Sequence, residues 1–125
     1  MAPPVVTLTF AALCALAMFG LVAWVALGRI RARALFGDAG DRALMRRIRI
    51  HANFVEVAPL TVLAMLGAEW TGLGAGWLWT ATVVFFAARL VHAVTIAKPY
   101  RGIGMVPTMA VPAGLGAWTL WALWG

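Results

Sequence analysis

The chain has 125 residues, of which 64% are hydrophobic and only 11% are charged. Soluble domains carry roughly 25% charged residues, so a water-covered globule is excluded, and the length allows a single domain over 1–125. The net charge of +6 does not mark a nucleic-acid binder, because the basic residues border apolar runs as the positive-inside rule arranges them.

The first apolar run extends from Val5 to Leu27. At helical rise it spans roughly 34 Å, enough to cross the hydrocarbon core. No basic residue precedes the run, and it is long for a signal-peptide core. It is expected to be a retained transmembrane helix. Cys14 lies inside it as the single cysteine, so no intrachain disulfide and no metal-binding spacing is available. The connector "GRIRARALFGDAGDRALMRR" follows, polar and basic, with Gly37 and Gly40 as breakers. A second span is expected over 50–69, then the glycine turn "TGLGAG". A third span covers 77–97. The connector "KPYRGIG" leads to a fourth span over 105–124. None of these runs alternates as a barrel strand does. An all-α integral membrane bundle of four transmembrane helices is the remaining solution in lipid.

Charge sets an orientation. Arg29, Arg31, Arg33, Arg42, Arg46, Arg47 and Arg49 cluster around the first connector, and Lys98 and Arg101 lie on the third. The second connector has no basic residue. Connectors one and three are therefore expected in the cytoplasm, with both termini on the non-cytoplasmic side. Trp70, Trp77, Trp79, Trp118, Trp121 and Trp124 then fall near the far interface as an aromatic belt.

Polar residues enter the second span. Arg49, Asn53 and Glu56 stand at i, i+4 and i+7 and share one helical face. His51 is about 200° round from Arg49 and does not share it. Pro59 removes a backbone donor and predicts a kink. Asp41 is a candidate cap if the helix starts inside the connector. Glu69, at the far boundary, is expected to be solvated. On the third span Arg89 lies at a depth similar to Glu56, with His92 three residues on and on the same face. An isolated charge in the bilayer is costly, so a direct Glu56–Arg89 pair is expected. Together these groups describe a cationic pocket with one carboxylate. It suits an anionic ligand that also carries an ammonium or amide group.

The strings "RIHANFVEVAP" on the second helix and "ARLVH" on the third resemble the MAPEG family, membrane-associated proteins in eicosanoid and glutathione metabolism. The resemblance covers most of the chain and points to the short bacterial branch and its inner membrane. It implies a homotrimer with glutathione held between subunits as co-substrate, without a metal, and a lipophilic small molecule reaching it from the membrane lipid. Arg49, Asn53 and Glu56 match the motif that binds glutathione, and Arg89 and His92 match a helix-three pair in that site. Arg29 resembles a further glutathione-binding arginine. Arg101 matches an arginine that stabilises the thiolate, consistent with the lowering of a thiol pKa by a nearby cation. The chain has Ala52, Ile96 and Gly102 where better-studied members often have arginine, tyrosine and serine.

The function implied is a glutathione-dependent transferase or peroxidase acting on lipophilic electrophiles. A non-catalytic lipid- or thiol-binding member is the alternative. A small transporter using Glu56 as a cation site is a third reading.

Overall fold

The computed structural model describes residues 3–125. Four helices follow one another: α1 (Val5–Ala32), α2 (Arg42–Trp70), α3 (Ala75–Thr95) and α4 (Gly102–Trp124). Each is long and apolar enough to cross a membrane. The protein is a four-helix membrane bundle. The helix α2 packs against both α1 and α4, α3 packs against α4, and α3 touches α1 and α2 more lightly.

The helix limits differ from the apolar runs in an instructive way. The α1 helix continues five residues beyond Leu27, and α2 begins at Arg42 rather than 50. Asp41 caps α2, its carboxylate accepting from the amides of Ala43 at 2.7 Å and Leu44 at 3.0 Å. Hydropathy marks the lipid-immersed part of a helix, whereas the cap marks where the backbone starts to coil. The α3 helix closes at Thr95 instead of 97, and α4 opens at Gly102 instead of 105. Across Pro59, α2 is one continuous helix.

The core lies between all four helices and runs from Phe54 and Phe85 towards the end opposite the basic connectors, with Val111 and Leu115 contributed by α4. Phe10 and Phe85 meet edge to face with centroids 5.1 Å apart, and Phe54 packs on Phe85 at 6.3 Å. Met65, Ala68 and Leu78 complete it from the neighbouring turns. Glu69 is not simply solvated. It is half-buried, and its carboxylate accepts from the amides of Val6 at 3.1 Å and Thr7 at 2.7 Å. These are first-turn donors of α1, which have no intrahelical acceptor. The residue before them, Pro4, supplies no side-chain cap, so a carboxylate from α2 performs that task and favours the positive end of the helix dipole.

Two glycines are needed where they stand. Gly72 turns the α2–α3 connection with φ +88, a conformation costly for any residue with a Cβ. Gly104 allows α4 to lie directly against α3, since a Cβ there would overlap the backbone of His92. Gly104→Ala is therefore expected to lower stability by about 1–3 kcal/mol. Gly76→Ala, where a Cβ meets nothing within 4 Å, is expected to change it little. Thermal unfolding of the detergent-solubilised protein compares the two, with Glu69→Ala expected to cost about 1 kcal/mol through loss of the α1 cap.

Candidate functional site

A cavity of about 630 Å³ opens at the end of the bundle that carries the basic connectors. Its wall on α2 is formed by Arg42, Met45, Arg46, Arg49 and Asn53. His92, Ile96 and Ala97 come from the end of α3 and the residues just past it, Pro99 and Arg101 from the third connector, and Gly102 and Met105 from α4. Four arginines and no carboxylate line it. Such a cavity favours an anion, and guanidinium forks match carboxylates in a bidentate manner.

The structure brings together four of the residues expected at the site: Arg49, Asn53, His92 and Arg101. The remaining three lie elsewhere. Arg29 is turned into the first connector, where Nη1 donates to the Gly37 carbonyl at 2.9 Å. Arg89 is buried behind Asn53, with 6% of its surface exposed. Glu56 is exposed on the outer face of α2.

The expected direct Glu56–Arg89 pair is replaced by a relay. Arg89 Nη1 donates to Asn53 Oδ1 at 2.9 Å, and Asn53 Nδ2 donates to Glu56 Oε2 at 3.5 Å. The cation requires an acceptor and the carboxylate requires a donor, so the neighbours dictate which way the Asn53 amide faces. Asn53 interposes because it stands one turn before Glu56, level with Arg89, whereas Glu56 points outward. The Phe54 ring adds a cation–π contact to Arg89, 5.9 Å from centroid to guanidinium carbon. The Nε of Arg89 has no hydrogen-bond partner among the described residues.

His92 is likewise buried, 4% exposed, and neither ring nitrogen has a partner among the described residues. The close approach of Gly104 holds its backbone. Two nearby residues, Arg42 and Arg46, were not among the sequence candidates. Their signal was spacing: 42, 46, 49 and 53 form one stripe once α2 starts at Arg42. Arg46 Nη2 also donates to the Ala93 carbonyl at 2.8 Å. It thereby ties α2 to the last turn of α3, where carbonyls lack helical partners. Met45, Met105 and Pro99 carried no chemical signal in the sequence and enter the wall only through packing.

A four-helix membrane protein with a polar, arginine-rich cavity at one end is thus the class defined by fold and site. The chain belongs to the MAPEG family, whose description matches residues 7–121. It is also similar to the inner membrane protein YecN of Escherichia coli K12, with 36% identity over 64 residues, 51% of this chain and 49% of the relative. The same protein of Escherichia coli O6:H1 matches equally. The chain spans about half the length of the curated relatives it matches. No solved structure matches it.

Asn53→Ala removes the acceptor of a buried cation. It is expected to destabilise the bundle by about 1–3 kcal/mol, the cost of leaving such a group unsatisfied. Glu56→Gln, at an exposed position, is expected to cost less. Unfolding midpoints of the two variants in the same detergent give the comparison.

Proposed function

We propose that the chain is a membrane-embedded glutathione-dependent transferase or peroxidase acting on lipophilic electrophiles. The observation that carries this reading is the convergence of Arg49, Asn53, His92 and Arg101 on one cavity of about 630 Å³. Glutathione has two carboxylates and one ammonium. The arginines complement the carboxylates, and Arg101 at the start of α4 supplies positive charge for a thiolate. A thiol loses its proton to water, the thiolate attacks the electrophilic carbon of a substrate arriving from the bilayer, and the leaving group departs with the bonding electrons. Electrostatic stabilisation of the thiolate and proximity are the rate-enhancing factors.

The proposal extends to assembly and placement. Glu56 is a carboxylate exposed on a membrane-spanning helix, and such groups face a protein interior or a water-filled space. A homotrimer would cover this face, complete the site between subunits and offer the ammonium of glutathione a carboxylate. The relative YecN bears the description inner membrane protein, and that membrane is the proposed location here. Connectors one and three would face the cytoplasm, and both termini the other side.

A second reading, binding without catalysis, is favoured by one feature. Ile96 and Gly102 both line the cavity, at positions where the resemblance elsewhere places hydroxyl-bearing side chains. Calorimetry of the detergent-solubilised protein with glutathione is expected to show binding that weakens at least tenfold in Arg49→Ala, about the loss of one charged hydrogen bond. Conjugation of glutathione to a chlorinated nitrobenzene, with chloride as leaving group, is expected in the wild type and lost in Arg101→Ala. Binding without conjugation selects the second reading. Absence of binding at millimolar glutathione overturns the first.

A further inference from the structure

We infer that the first connector is a docking element for anionic phospholipid, inserting an apolar tip beneath lipid headgroups that its arginines hold. Residues 33–41 link α1 to α2. Leu35 and Phe36 stand at the tip with 88% and 90% of their surfaces exposed. They are not the consequence of a loose loop. Arg29 Nη1 holds the Gly37 carbonyl at 2.9 Å, the Asp41 amide donates to the Asp38 carbonyl at 2.8 Å, and Ala34 is buried beneath the tip. An ordered scaffold that presents two large apolar side chains outward has the form of an insertion device.

Charge identifies the occupant. The connector and the helix ends beside it carry Arg31, Arg33 and Arg42, all exposed. Its two carboxylates are engaged by backbone amides: Asp38 accepts from the Gly40 amide at 3.1 Å, and Asp41 accepts from Ala43 and Leu44. The arginines are thus left with no acidic partner from their own loop. Helices α1 and α2 are long and apolar enough to span the membrane, so the loop joining them emerges at its surface, within reach of headgroups. Apolar side chains flanked by unneutralised cations at that level complement phosphate above and acyl chain below. This inference does not depend on the proposed activity: of the residues it invokes only Arg42 also lines the cavity, and Arg31, Arg33, Leu35 and Phe36 all lie outside it.

The test places a spin label at position 36 in a Phe36→Cys, Cys14→Ala chain reconstituted in nanodiscs of phosphatidylglycerol or phosphatidylcholine. The label is expected to collide with oxygen rather than with a water-soluble nickel complex in phosphatidylglycerol, and to be more hydrated in phosphatidylcholine. Native mass spectrometry of the otherwise unaltered protein is expected to retain phosphatidylglycerol preferentially. Arg31→Gln with Arg33→Gln should reduce that preference about tenfold, and Leu35→Ser with Phe36→Ser should shorten retention while thermal unfolding stays unchanged. A label equally hydrated in both lipids, or equal retention of both, overturns the assignment. A label shielded in lipid-free detergent in proportion to protein concentration also overturns it, by showing a second copy on the tip.

Discussion

A guanidinium buried between membrane-spanning helices must find an acceptor, because neither lipid nor packed hydrocarbon can replace its hydration. Arg89 meets this requirement with one strong bond to Asn53 and the face of Phe54. Both partners come from a single turn of α2, so the arginine fixes the height and rotation of α2 against α3. The amide of Asn53 then passes its other end to Glu56. A neutral side chain thus separates the two charges while satisfying each in part. Because Asn53 also lines the cavity, the constraint that seats Arg89 sets the depth of the polar site.

The rest of the bundle is clamped by contacts of a different kind at its two ends. Far from the cavity, the Glu69 carboxylate of α2 takes the first free amides of α1. Near the cavity, Gly104 lets α4 lie on the backbone of α3, and Arg46 reaches from α2 to an α3 carbonyl. Each contact uses a backbone group that a helix end or a missing side chain leaves available. They matter in a membrane protein because burial of apolar surface does not distinguish a neighbouring helix from lipid. Orientation must come from close approach and hydrogen bonds.

Those clamps leave a cavity that is cationic by composition and open by geometry. Arg42, Arg46, Arg49 and Arg101 surround it without a lining carboxylate. His92 in its wall and Arg89 behind it add buried polar atoms without partners among the described residues. Membership of the MAPEG family, matched over 7–121, agrees with the four-helix form.

The four spans and their class were legible in the sequence, since long apolar runs without alternation leave a helix bundle as the solution in lipid. The shared face of Arg49, Asn53 and Glu56 was legible too, because helical periodicity is a local property. Their fates were not: Asn53 reached both the cavity and Arg89, whereas Glu56 turned outward. Arg29 shows the same limit, since a loop carbonyl eight residues away captured it. Nor could hydropathy find the start of α2, because an exposed helical turn rich in arginine is as polar as a loop. The sequence by itself determined which residues share a helix and a face, through covalent spacing and the 3.6-residue turn. Only the tertiary structure decided which faces meet, because that depends on the heights at which separate helices lock and on which backbone groups remain unsatisfied.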